Sequence, residues 1–378
     1  MRGHVAIGTW SGGRFMRFGE PISEKRLEAL LRPGGGIRTV MTTDVYGEGE
    51  ADSLLGRALT GLQRSDYELV GAIGHDFYTG ERDGPKGFPR FTHPRLRGPD
   101  GYRDYVRMAA ERSLARIGAD SFDLLLLHNP DRRGFESPEV WEALRELRDE
   151  GLTRELGVAP GPANGFVLDL IGCFERYGEL IDWAMLILNP LEPWPGELAA
   201  QAAPEHGVRL ITRVVDYGGL FHDDVLPGHR FARHDHRTFR PEGWVEAGRE
   251  KLERIRPLAE GHDLTMLQLA CVWNLAHAGV ECVVPTLIQE AGPGAKPIES
   301  KRDELAAVPA ERVLSDAEVD EIRRIGDNRG SMLLKGGTPD HEGGELPDRW
   351  EVGPDLAAVA ERWAIDPDRD LRKLAAAV

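Results

Sequence analysis

The sequence has few cysteines and lacks strongly basic segments. Its three cysteines, Cys173, Cys271 and Cys282, are too few and too scattered for a disulfide framework or a metal cage, which suits a reducing compartment. No run of basic residues is longer than two, and the formal net charge is −16. Proteins that track nucleic-acid phosphates carry basic patches, so we expect no nucleic-acid partner.

Long apolar runs are also missing. No apolar segment approaches the ~18 residues of a membrane span. The first residues lead directly into a strand-like segment and do not resemble a signal peptide. We therefore expect a cytoplasmic protein without a membrane partner, and the sequence leaves its oligomeric state open.

Strand and helix patterns alternate along most of the chain. The fourth strand, at residues 122–127, contains four consecutive leucines, which is typical of a strand buried on both faces of a parallel sheet. A doubly wound sheet would usually carry a Gly-x-Gly-x-x-Gly turn after its first strand, and none follows residues 4–10. We predict the α/β class: a (β/α)8 TIM barrel over residues 1–325, with a C-terminal extension, residues 326–378, packed on it.

Polar residues follow several of these predicted strands. In a parallel barrel the strand C-termini converge on one mouth, where such side chains form a site. A tyrosine near a histidine can protonate a carbonyl oxygen, and an aspartate can hold both. Alternatively, each histidine is a hydrogen-bonded structural residue. The strand-end residues that we consider first are Asp44, Tyr46, His75, Asp76, His128 and Asn129.

Four segments resemble the aldo-keto reductase superfamily: residues 43–59, 122–128, 140–158 and 188–191. The resemblance covers about residues 1–325. It implies a (β/α)8 barrel that usually reduces aldehydes and ketones with NADP(H). It also implies catalytic roles at three positions, namely Tyr46 as general acid/base, His128 orienting the substrate oxygen and Asp44 supporting the pair.

The chain departs from the family pattern around the expected nicotinamide. Gly74 aligns with the catalytic lysine, so we expect its neighbour His75, or Lys335 from the tail, to replace that lysine. Ala159-Pro160 and Met185 align with residues that usually hold the carboxamide. NADP(H) remains the expected cofactor, with a reduced set of contacts.

The resemblance and the composition of the loops also suggest ligand-binding residues. For the cofactor these include Lys296, Ser300, Lys301 and Arg302, which follow the eighth predicted strand. These four residues either bind a 2′-phosphate or form a solvated helix face. The loop after the seventh strand is rich in His and Arg and either binds an anion or polyol or forms surface salt bridges. The cofactor set is Asn189, Arg213, Lys296, Ser300, Lys301 and Arg302, and the substrate set is Trp10, Asp76, Asn129, His236, Arg237 and Arg240.

Three functions remain open. The first is NAD(P)H-dependent reduction or oxidation of a carbonyl or sugar-like small molecule. The second is non-redox acid–base chemistry by a lyase, epimerase or isomerase that uses Tyr46, His128 and His75 on a keto-sugar-like substrate. The third is a catalytically silent binding or regulatory subunit. Asp44, His75, Asp76 and His128 are acceptable metal-ligand types, but their spacing does not support a metal site, and we predict none.

Overall fold

Eight parallel strands form the centre of the molecule. The computed structural model describes residues 3–83, 87–161, 166–240, 242–328 and 352–371. Each strand pairs with the next in sequence, and a parallel bridge between Val5 and Val283 closes the circle. The predicted (β/α)8 barrel is therefore confirmed. Its strands are Ala6–Gly8 (β1), Thr39–Met41 (β2), Glu68–Ile73 (β3), Phe122–His128 (β4), Thr153–Ala159 (β5), Trp183–Ile187 (β6), Arg209–Arg213 (β7) and Val280–Val284 (β8).

Helices alternate with the strands and surround them. Several begin at a capping residue, as at Ser23, whose hydroxyl accepts a hydrogen bond from the Arg26 amide. The helices of the described residues are Glu24–Leu31 (α1), Glu50–Leu59 (α2), Tyr102–Ile117 (α3), Arg132–Glu136 (α4), Pro138–Asp149 (α5), Val167–Tyr177 (α6), Gly196–Ala202 (α7), Trp244–Gly261 (α8), Met266–Leu275 (α9), Ile298–Ala306 (α10), Asp316–Gly326 (α11) and Pro354–Arg362 (α12).

The leucine run of β4 explains how the core reaches the barrel mouth. Leu124 and Leu126 pack inside the barrel, whereas Leu125 and Leu127 pack against the surrounding helices. Because side chains alternate along a strand, His128 continues the inward-facing row at the C-terminal end of β4.

The described part of the C-terminal extension packs on the barrel. Helix α12 lies against α6, where Val359 is buried. The indole of Trp363 donates to Glu175 at 3.0 Å, and Arg362 pairs with the same carboxylate. The division of the chain at residues 325/326 stays a prediction, and Lys335 lies outside the described residues.

Candidate active site

The structure brings together the aromatic side chains predicted to be catalytic. Tyr46 begins a short 3-10 turn after β2, and its ring meets that of His128 edge-on, with centroids 6.1 Å apart. The ring of His75, just beyond β3, lies 5.3 Å from that of His128. Three different strands thus deliver these rings to one mouth, as a parallel barrel requires.

The imidazole of His75 is neutral, and its hydrogen bonds define which ring nitrogen carries the proton. Its Nδ1 lies 2.7 Å from the carbonyl oxygen of Phe88, which can only accept, so Nδ1 carries the proton. Its Nε2 then accepts from the side-chain amide of Asn129 at 3.2 Å. Burial, followed by the charge of Arg90, lowers the pKa of His75 to about 3. His75 therefore stands beside the place of the missing lysine without supplying its positive charge.

Asp44 is fully buried, and neither of its carboxylate oxygens has a well-formed hydrogen bond to a described residue. Burial, and secondly the nearby carboxylate of Asp52, raise the pKa of Asp44 well above its usual value. Asp52 itself accepts hydrogen bonds from Thr42 at 2.8 Å and from Arg116 at 3.1 Å. The protonated, neutral form of Asp44, the aspartate that the family resemblance places in the site, is thus favoured.

Arg213 supplies positive charge to the site from the end of β7. Its Nη2 donates to the carbonyl oxygens of Pro160 at 2.7 Å and Gly161 at 3.0 Å. Burial raises the pKa of Tyr46, and the charge of Arg213 opposes that rise. Burial, then His75 and Arg213, lower the pKa of His128 well below its usual value, so its imidazole is neutral.

Several buried polar atoms at the mouth have no partner among the described residues. They are the two oxygens of Asp44, Nδ1 of His128, Oδ1 of Asn129 and Nε of Arg213. Buried polar atoms in proteins are nearly always hydrogen-bonded, so such a cluster marks a place for a polar ligand. Beside it, a cavity of about 20 Å³ lies between Arg213 and mainly apolar side chains, with room for about one water molecule.

The predicted substrate residues divide into two groups. Trp10 packs on the inner core of the barrel, and Asn129 contacts His75, so both lie at the mouth. Asp76 instead accepts a hydrogen bond from Thr79 and pairs with Arg97, so its carboxylate stabilises the β3–α3 loop. Burial alone would raise the pKa of Asp76, but the bonds to Thr79 and Arg97 together outweigh it and lower the pKa.

The His- and Arg-rich loop after β7 is largely internally bonded. The guanidinium of Arg237 is buried and bonds to Asp235, Glu290 and the carbonyl oxygen of Gly218. With Nε, Nη1 and Nη2 all engaged, we assign Arg237 a structural role in place of substrate binding. Arg240 lies over the rings of Tyr217 and Trp244 and pairs with Glu192, and the ring of His236 packs edge-on against Phe18.

The predicted cofactor residues are likewise mostly engaged. The amide of Asn189 bonds to Glu192, Val214 and Leu191. Lys301 is fully buried, pairs with Asp224 at 2.6 Å and donates to the carbonyl oxygen of Ile288.

The other residues predicted to bind a 2′-phosphate either have protein partners or are exposed. Arg302 donates to three backbone oxygens at the end of α1, and Lys296 lies 3.5 Å from Glu304. Ser300 is exposed. The residues present therefore do not fit NADP(H) in the way that the resemblance implies: Lys301 and Arg302 have protein partners where a 2′-phosphate was expected.

Sequence reasoning missed Arg90, Arg116 and Asp52. The backbone of Arg90 forms an isolated antiparallel β-bridge with that of His75. The Nε of Arg90 donates to the carbonyl oxygen of Asn129 at 2.7 Å. It lies in a polar loop without periodicity, so no local pattern marks it. Asp52 lies within the family-like segment 43–59, and its position two residues into α2 from Glu50 gave no sign of the buried pair with Arg116.

The described residues contain neither a metal-binding cluster nor a membrane-spanning helix. No group of three or more His, Cys, Asp or Glu side chains there is arranged to hold a metal ion. None of the helices within the described ranges combines the length and apolarity needed to cross a membrane.

A closed parallel barrel with ionisable side chains at its C-terminal mouth defines an enzyme-type (β/α)8 protein. The model of the aldo/keto reductase family matches residues 4–327, and the chain belongs to that family.

The chain is 25% identical over 281 residues to a D-threo-aldose 1-dehydrogenase from Pseudomonas sp, covering 70% of this chain and 79% of the relative. It is 22% identical over 304 residues to a probable voltage-gated potassium channel subunit beta from Arabidopsis thaliana, covering 76% and 85%.

Solved structures support the same fold. The glycerol dehydrogenase of Gluconobacter oxydans superposes with a TM-score of 0.63 at 21% identity, covering 90% of this chain and 95% of the other. An aldo-keto reductase from Klebsiella pneumoniae, solved in complex with NADPH, superposes with a TM-score of 0.54 at 19% identity, covering 90% and 93%.

Proposed function

We propose that this protein is an enzyme that moves a proton at the carbonyl or hydroxyl oxygen of a small, sugar-like substrate, with Tyr46 as general acid/base. The observation that carries the proposal is the edge-on contact of the Tyr46 and His128 rings, at 6.1 Å, in a buried mouth. The unpartnered polar atoms of Asp44, His128 and Asn129 support a substrate with several hydroxyl groups.

Each side chain has a distinct part in this step. The hydroxyl of Tyr46 gives its proton to the substrate oxygen, or takes it in the reverse direction. Neutral His128 orients that oxygen by a hydrogen bond, since its low pKa leaves one ring nitrogen as a donor and one as an acceptor. The positive charge of Arg213 lowers the cost of the phenolate that Tyr46 becomes.

We place carbonyl reduction or alcohol oxidation first among the reactions. Membership of the aldo/keto reductase family supports it, as does the similarity to an aldose dehydrogenase. Such a reaction also needs a hydride carrier, and a related structure contains NADPH. The engaged Lys301 and Arg302 do not explain how that cofactor would bind here.

A second candidate is proton transfer without redox change, as in an epimerase, isomerase or lyase. The specific observation in its favour is that Asn189 and Lys301 already have protein partners, while the acid–base rings remain together. Acid–base chemistry at a carbon next to a carbonyl needs Tyr46 and His128 but no nicotinamide.

A fluorescence titration of the purified protein with NADPH separates the two candidates. Binding in the micromolar range, with turnover of aldoses or small aldehydes, would support the redox reaction. The absence of binding at millimolar NADPH would reject it and favour the non-redox candidate.

Tyr46→Phe tests the shared proton-transfer step. We expect it to abolish turnover while leaving the circular-dichroism spectrum unchanged. Tyr67→Phe, just before β3 at the opposite end of the barrel, is the matched control and should keep its activity. Normal turnover by Tyr46→Phe would remove Tyr46 from the mechanism.

A further inference from the structure

Two guanidinium groups converge on one backbone segment beside the catalytic rings. Nη2 of Arg213 donates to the carbonyl oxygen of Gly161 at 3.0 Å. A methyl group built on Gly161 would lie 3.9 Å from Nη2 of Arg90. Arg213 comes from β7 and Arg90 from the β3–α3 loop, so two separate elements bring positive charge to this point.

The same point adjoins the candidate active site. Ala159, which precedes Pro160, pairs in register with His128. Arg90 donates to the carbonyl oxygen of Asn129, the next residue after His128. The two cations therefore flank the C-terminal end of β4, where the acid–base rings meet.

Arg213 has no carboxylate partner among the described residues. Its hydrogen bonds there are the two from Nη2 to backbone oxygens, and its buried Nε has none. Buried charges in proteins are normally paired, because desolvating an unpaired charge is costly. Burial lowers the pKa of Arg213, and the effect that opposes this shift comes from Tyr46, which is a neutral phenol until it loses its proton.

Within the described ranges, the charge of Arg213 at the rings is not paired with a carboxylate. Burial, followed by His75, Arg213 and Arg90, lowers the pKa of His128, and no carboxylate is among these groups. Burial, and secondly Asp52, favour the protonated, neutral form of Asp44, the buried acid of the site. A positive mouth on a chain of net charge −16 is a local reversal of sign, which attracts an anionic ligand against the overall repulsion.

We propose that the substrate carries an anionic group, a carboxylate or a phosphate, which Arg213 binds beside the Tyr46–His128 pair. Arg90 adds positive charge from the other side. The guanidinium of Arg213 has donors beyond Nη2, and planar donor pairs match the oxygens of both anion types. This inference rests on the proposed function, because it names the substrate class of the same site.

Calorimetric binding of three probes tests it: D-glucuronate, D-glucose 6-phosphate and uncharged D-glucose. At least one anionic sugar should bind about tenfold or more tightly than glucose, and the preference should weaken as salt rises. The tighter of the two anionic probes identifies a carboxylate or a phosphate as the recognised group. Equal binding of all three, or no binding of either anionic sugar at about 10 mM, would overturn the proposal.

Variants at position 213 assign the effect to its charge. Arg213→Met and Arg213→Gln should each remove the preference for the anion and leave glucose binding unchanged. Arg145→Met, on the exposed face of α5, makes the same change in net charge and should have no effect. If Arg213→Met fails to fold, Arg213→Gln keeps the test, and a preference that persists in the folded variant contradicts the assignment.

Tyr46→Phe separates this proposal from the proposed function. It should lose turnover but keep the preference for anionic sugars. Turnover that depends on Tyr46 but occurs only with neutral sugars would overturn the anion proposal alone. Anion binding that depends on Arg213 in a protein without turnover would overturn the proposed function alone.

Discussion

Gly74 lies directly against the backbone of His128: a methyl group built on Gly74 would be 2.1 Å from the His128 carbonyl oxygen. The strands at this point therefore leave no room for a side chain at position 74, where the family resemblance leads us to expect the catalytic lysine. The loss of the lysine is therefore linked to the close approach of β3 and β4. The positive charge at the site comes instead from Arg213, across the barrel.

Substituting Gly74 should destabilise the fold without restoring a lysine. We expect Gly74→Ala to lower the free energy of unfolding by about 1–3 kcal/mol, since the added methyl overlaps backbone that cannot rotate away. Urea denaturation measures this. Gly98→Ala is the matched control, because its added methyl meets nothing within 4 Å and its φ is −87°. A Gly74→Lys protein of normal stability would contradict the steric account.

The neutral state of His75 predicts a pH dependence of stability. Its pKa is lowered to about 3 in the folded protein, so below pH 6.5 the unfolded chain binds a proton that the folded chain does not. Stability from this group is thus fully present above pH 6.5 and falls as the pH drops toward 3, by at most about 1.4 kcal/mol per pH unit.

Replacing His75 should flatten that dependence. We expect His75→Gln to reduce the slope of unfolding free energy against pH between pH 4 and 6, as measured by urea denaturation at each pH. His128→Gln should act in the same direction, because the pKa of His128 is also lowered by burial. An unchanged slope in both variants would mean that these imidazoles are charged in the folded protein.

The local pattern of the chain was enough to predict the barrel and its mouth. The leucines of β4 had to be buried on both faces, and this placed His128 at a strand end. Long-range ion pairs could not be predicted in this way. Besides the neighbouring Asp235, Arg237 pairs with Glu290, 53 residues away, and Lys301 pairs with Asp224. Both cations resemble ligand-binding groups until the fold supplies these distant carboxylates.

The pair of Asp52 and Arg116 offers a test of buried charge behind the site. Asp52 is fully buried, and Arg116 also donates to the hydroxyl of Tyr78 at 2.9 Å. We expect Arg116→Met to lower the free energy of unfolding by about 3 kcal/mol or more, because it leaves an uncompensated carboxylate. Arg107→Met, which breaks an exposed pair with Glu150, should change the free energy of unfolding far less, because exposed ion pairs are screened by solvent. Equal losses in the two variants would contradict the role assigned to burial.

The packing of α12 on α6 predicts how the C-terminal extension can be released. Val359 is 2% exposed, and a methyl group built on Gly172 of α6 would lie 3.3 Å from its Cγ2. We expect Val359→Asp to detach α12, since a carboxylate there would be buried without a partner. Limited proteolysis should then cleave within residues 352–371, while the barrel remains intact. Ala358→Asp, on the exposed face of the same helix, should leave the cleavage pattern unchanged. Equal protection of both variants would show that this contact does not hold the extension in place.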